Sequence, residues 1–312
     1  MSDSKNAMSR RAFISISGGA IGFMAAAGCG KKSAQDQGAG KKAGEQPQTE
    51  KPLKIAADFP EDIPYAGFRM GIQSWCLREF SSIEVLIDSI HKLGLAHVEL
   101  APNPHLPLDS TDEQLEALLK RFQDEGITID SFGVVKMEND EPACRRIFEI
   151  AGILGVLAIG ARPQPDSLPL LDRLTEEYGI PITIHNHGLG DELYATGEMI
   201  RSHLSGTSSR IGLCVDTGHF NTVQVDPIKI IEEFSERIHG VHVKDLVQSA
   251  DGEWRDAIVG RGDLDLPALV AKLKDIGFNG VFSLEYESDP SNPMPAMREC
   301  LAEIRKACKT LG

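Results

Sequence analysis

Ile211-Gly212-Leu213-Cys214-Val215-Asp216-Thr217-Gly218-His219 is a short apolar run that stops abruptly in Asp, Thr, Gly and His. The same grammar recurs before it, in Ile184-His185-Asn186-His187-Gly188. It recurs twice after it, in Val241-His242-Val243-Lys244-Asp245 and in Ser283-Leu284-Glu285-Tyr286-Glu287. Apolar runs of this length, without polar alternation, read as strands buried on both faces. Working outward, eight strands are expected at 69–74, 97–101, 128–134, 156–160, 181–186, 211–216, 238–244 and 280–285. Segments of helical period lie between them, among them 82–93, 111–125, 227–235, 266–276 and 295–309. Thr111-Asp112-Glu113-Gln114 is a capping signal, and Gly94, Gly126, Gly179 and Gly277 stand where helices should end. Strict alternation of this kind specifies parallel α/β architecture. Residues 68–312 have the size of one (β/α)₈ TIM barrel, about 250 residues. The alternative, a doubly wound open sheet, is disfavoured because no G-x-G-x-x-G follows the first strand.

In such a barrel the chemistry sits at the C-terminal ends of the strands. His185, Asp216, His242 and Glu285 lie toward the ends of four consecutive predicted strands and so are expected at one mouth. Two imidazoles and two carboxylates make a candidate site for one divalent ion: Mn²⁺ first, with Zn²⁺, Co²⁺, Fe²⁺ or Mg²⁺ as alternatives. Lys244 follows His242 by two residues and is expected either to donate to a developing enolate oxygen or to pair with Asp245 on the rim. Glu99 ends the second strand, where it would contact substrate or brace the site from behind.

The strand-end motifs Cys214–His219, Val241–Asp245 and Ser283–Glu285 resemble those of the xylose-isomerase-like TIM barrels. That group includes sugar-phosphate isomerases, ketose 3-epimerases, inosose dehydratases and AP endonucleases. The resemblance implies one divalent metal held by Glu, Asp, His and Glu from the fifth to the eighth strand. It places Asp216, His242 and Glu285 in three of those positions and makes His219 a substrate contact. The fifth strand departs from it, with His185 where the epimerases have Glu. The pair His185 and His187, together with His242-Val243-Lys244-Asp245, looks closer to inosose dehydratases and to enzymes of keto-sugars and keto-glycosides.

The expected activity is therefore a metal-dependent isomerisation or epimerisation of a sugar through an enediolate. Glu285 would remove the α-proton, and His185, His187 or Lys244 would return one, with His187 also contacting substrate. Loss of a β-leaving group from the same enolate, in a dehydratase or keto-glycoside lyase, is the alternative. A non-catalytic exported sugar-binding lipoprotein is the reading from another class.

Composition narrows the field further. With 32 Lys+Arg against 46 Asp+Glu the formal charge is −14, which argues against a nucleic-acid partner. An AP endonuclease would also need further His and Asp ligands and a basic groove. The six cysteines are scattered, without a C-x-x-C pair, so neither a disulfide framework nor a zinc knuckle is expected. Ser9-Arg10-Arg11-Ala12-Phe13 followed by a weakly apolar, glycine-rich stretch resembles a twin-arginine export signal. Ala26-Ala27-Gly28-Cys29 resembles a lipobox, which would lipidate Cys29 and tether the protein to a membrane through that anchor alone. Residues 1–29 are thus read as a signal, 30–67 as a polar disordered tether and 68–312 as the barrel, exported to the periplasm.

Overall fold

The computed structural model describes residues 65–311. The expected export signal, Cys29 and the tether as far as residue 64 lie outside the described residues. Eight parallel strands close into a barrel: β1 (Met70–Gln73), β2 (His97–Leu100), β3 (Thr128–Met137), β4 (Ala158–Pro163), β5 (Ile182–His185), β6 (Ile211–Asp216), β7 (Ile238–Val243) and β10 (Val281–Leu284). Neighbours follow chain order all round the barrel, and β10 closes it against β1. The (β/α)₈ expectation holds. Two short strands that were not expected, β8 (Leu246–Gln248) and β9 (Trp254–Asp256), form an antiparallel hairpin after β7.

The surrounding helices are α1 (Ile83–Leu93), α2 (Asp112–Asp124), α3 (Glu141–Leu154), α4 (Leu168–Tyr178), α5 (Gly197–Leu204), α6 (Thr217–Thr222), α7 (Pro227–Glu233), α8 (Leu266–Asp275) and α9 (Met294–Cys308). Each turns an apolar stripe inward, such as Leu86, Ile87 and Ile90 of α1 or Leu269, Val270 and Leu273 of α8. Thr111 caps α2 through a reciprocal capping box with Gln114. The four glycines expected to end helices all adopt the left-handed conformation, with φ between 66° and 70°.

Two boundaries differ from expectation. β3 continues to Met137 and β4 to Pro163, because the pairing shifts register between Phe132 and Val135 and then resumes. Gly133 lies inside that irregularity. Packing also begins before residue 68: Tyr65 is buried, and its hydroxyl accepts from Arg305 Nη2 of α9 at 3.1 Å.

Register sets the site. Asp216 on β6 pairs with His242 on β7, and His242 pairs with Ser283 on β10. In-register residues on parallel neighbours share a face, so these three form one layer inside the barrel mouth.

Candidate metal centre

β5, β6, β7 and the residue after β10 deliver His185, Asp216, His242 and Glu285 to one buried point. One donor atom from each lies within 4.8 Å of all the others. His185 Nε2 is 3.6 Å from Asp216 Oδ2 and 3.7 Å from Glu285 Oε2, both too long for hydrogen bonds. Both nitrogens of His185, and Oδ2 of Asp216, are buried without a hydrogen-bond partner among the described residues. Buried polar atoms are rarely left so. An ion accepting electron pairs from His185 Nε2 and Asp216 Oδ2 would satisfy those two atoms, and two imidazoles with two carboxylates form a donor set suited to a divalent transition metal.

Hydrogen bonds around the cluster hold several of these residues in place. Asp216 caps α6, its Oδ1 accepting from the His219 N–H at 2.7 Å. Asn186 grips the Asp216 backbone from both sides, accepting from its N–H at 2.8 Å and donating to its carbonyl at 3.1 Å. Thr217 Oγ1 ties α6 to the end of β7, donating to the Lys244 carbonyl at 2.6 Å. His242 sits between two carboxylates, Nδ1 at 3.1 Å from Glu285 and Nε2 at 2.8 Å from Glu99.

Electrostatics follow from this crowding. Burial alone would raise the pKa values of the Glu285 and Asp216 carboxyls, but the cations around them prevail. Lys244 and His242 hold Glu285 well below the ordinary carboxylate range, and His219, Lys244 and His185 lower Asp216. Burial would lower Lys244, yet Glu285, Asp216 and Glu287 raise it. His187 goes the other way, pushed down to about 3 by burial and by the neighbouring His185 and His219. Burial lowers His219 as well. The mouth therefore pairs ionised carboxylates with an imidazole, His187, that stays neutral at neutral pH.

Lys244 does not pair with Asp245. Its ammonium contacts Glu287 and lies 3.8 Å from Glu285 Oε2, because its buried side chain points into the mouth. Asp245 instead accepts from the backbone N–H groups of Gly260, Gly262 and Leu264 at 2.8, 2.9 and 3.0 Å, pinning the loop after the hairpin. Glu99 is placed behind His242 and is not among the residues lining the cavity in front of the cluster.

That cavity has a volume of about 760 Å³. His185, His187, His219 and Glu285 line it. The His185 ring centroid is 4.7 Å from that of His187 and 5.7 Å from that of His219. Gln73, Trp75, Lys136 and Glu287 also line it and were not picked out as site residues. Glu287 lies two residues beyond Glu285, which was the one available signal. Trp75 is 38% exposed, with its indole N–H 3.4 Å from Glu287 Oε2. Nothing local to its sequence distinguishes it from a core aromatic.

Residues 166–307 match the family described as Xylose isomerase-like TIM barrel. An inosose dehydratase of Lacticaseibacillus casei is 28% identical over 142 residues, 40% of this chain and 47% of that protein. The chain spans about half the length of the curated relatives it matches. An uncharacterised protein of Parabacteroides distasonis is similar in structure, with TM-score 0.61 and 29% identity over 77% of this chain and 99% of that one. The IOLI protein, whose crystal structure holds a zinc atom, shares the fold with TM-score 0.64 and 20% identity over 76% of this chain and 98% of that one.

Proposed function

We propose that the chain is a xylose isomerase-like enzyme that isomerises or epimerises a sugar or keto-sugar, holding one divalent ion on His185, Asp216, His242 and Glu285. The observation that carries this reading is the His185 imidazole, buried with both nitrogens unpartnered and facing two carboxylates beyond hydrogen-bond reach. When bound, such an ion would act as a Lewis acid on a sugar carbonyl and lower the cost of negative charge beside it. The chain's own groups supply the rest. Glu285 faces the cavity and accepts the α-proton, while Lys244 and His242 keep it ionised. His187 is a neutral imidazole on the same wall and relays a proton from solvent to the reacting carbon or its neighbour, gaining a hydrogen on one ring nitrogen as it gives up that on the other, while Glu285 releases its own proton to solvent. Lys244 is bound to Glu287, lies 3.8 Å from Glu285 Oε2 and orients both carboxylates.

Elimination of a β-leaving group is the second reading. The local likeness to an inosose dehydratase over 142 residues favours it, as does the imidazole on β5. Both readings begin with the same proton abstraction, so product analysis separates them. Metal-loaded protein is incubated in D₂O with a panel of ketoses, inososes and keto-glycosides and followed by NMR. Deuterium uptake with unchanged composition supports the isomerase, and loss of water or aglycone supports the lyase. Stoichiometric sugar binding without exchange or turnover would leave a sugar-binding protein. We also propose export by the twin-arginine route with lipidation at Cys29. Unchanged membrane fractionation of Cys29→Ser would overturn the lipidation.

A further inference from the structure

Glu99 is a buried carboxylate that neither joins the four-donor cluster nor lines the cavity. It lies on β2, one residue before its end and separated from β7 by β1 and β10 in the barrel, and it reaches across the interior to the back of His242. Its Oε2 lies 2.8 Å from His242 Nε2 and accepts from Ser283 Oγ at 3.2 Å. Its Oε1 is buried with no hydrogen-bond partner among the described residues. A Cβ built on Gly160 would stand 2.9 Å from that atom, so the carboxylate is seated directly against β4 backbone. The opposite edge of the His242 ring, Nδ1, faces the cluster at 3.1 Å from Glu285 Oε2.

A carboxylate buried with half its acceptor capacity unused is a poor device for stability, since an apolar side chain of similar size would fill the space without desolvating a charge. It is an effective device for orienting an imidazole. We propose that Glu99 is a positioning residue for the metal centre: it takes the Nε2 hydrogen of His242 and so keeps the Nδ1 lone pair aimed at the cluster. The inference rests on the metal-site reading above and adds an outer residue to it. Partners of this kind fix the tautomer and ring angle of a ligating histidine and raise its basicity. Ser283, in register with His242, holds the carboxylate in turn.

Glu99→Leu and Glu99→Gln test this. Purified metal-free protein is titrated with Mn²⁺ and Zn²⁺ against a chelating indicator, and its metal-free thermal midpoint is measured separately. Glu99→Leu should weaken metal affinity about 10- to 100-fold while leaving the metal-free midpoint unchanged or higher. Glu99→Gln, whose amide oxygen still accepts from Nε2–H, should recover most of the affinity. A residue serving only the fold would lower stability and affinity together. Wild-type affinity in Glu99→Leu, equal loss in both variants, or failure of Glu99→Leu to fold would each overturn the inference. Failure of wild-type protein to bind either ion would instead refute the metal site itself, and this inference with it.

Discussion

Asp216→Asn separates the structural work of Asp216 from its proposed work as a ligand. Asp216 Oδ1 caps α6 by accepting from the His219 N–H at 2.7 Å, and an asparagine oxygen can do the same. Oδ2 is the atom turned toward His185, and Asn puts an NH₂ group there, which has no lone pair for an ion. The donor set loses one of its two negative charges while the fold keeps its cap. At metal a thousandfold above the dissociation constant, a bound ion stabilises wild type by about 4.1 kcal/mol. A hundredfold weaker affinity would remove about 2.7 kcal/mol of that. For a domain of this size the loss corresponds to a metal-induced rise in Tm smaller by roughly 5–11 °C. The assay is calorimetry with and without Mn²⁺ or Zn²⁺, paired with elemental analysis. Metal-free Asp216→Asn should melt within a few degrees of wild type, whereas Asp216→Ala also loses the cap, at about 1 kcal/mol. Stoichiometric metal and a full metal-induced Tm rise in Asp216→Asn would refute the assignment.

His185→Glu should retain metal, since a carboxylate can replace the imidazole as donor, but turnover should fall about tenfold or more, at least about 1.4 kcal/mol of transition-state stabilisation. Unchanged kcat would show that the imidazole has no special part in the chemistry. Lys244→Met leaves Glu285 and Glu287 facing each other without their buried cation, and urea unfolding of metal-free protein should show a loss of about 3–5 kcal/mol. Equal unfolding midpoints would show that the pair is not stabilising. Asp245→Ala frees the Gly260, Gly262 and Leu264 N–H groups, so hydrogen exchange there should accelerate while metal affinity stays near wild type; unchanged exchange would contradict the pinning role. Asp191, buried but held ionised by the Leu193 N–H, Arg162 and the His187 N–H, has a lowered pKa. Its contribution is therefore present above the unfolded carboxyl value of about 3.9 and is lost as pH falls through its lower folded value. The stability gap between wild type and Asp191→Asn should accordingly shrink on acidification below about pH 4, and a gap that widened would reverse the sign argued here.

Strand and helix placement was legible in the chain because burial is a local property with a local period. An apolar run ended by His185 or Asp216 needs no partner to read as a buried strand reaching a mouth, and Gly94 or Gly179 marks a helix end by its own conformational freedom. The four candidate ligands were legible for the same reason, since each lies at or within one residue of a strand end and all barrel strands point one way. The hairpin was missed because two strands of three residues carry too little alternation, and the extension of β3 because a register shift is a property of the pair. Partner choice belonged to the tertiary structure. Lys244 beside Asp245 in sequence invites an ion pair, yet the barrel turns the lysine toward Glu287 and gives the aspartate to a backbone loop. Glu99 meets His242 across 143 positions, and Trp75 meets Glu287 across 212. Residue order states which side chains reach the mouth, but which of them touch depends on strand tilt, register and rotamer, and these exist only once the barrel has closed.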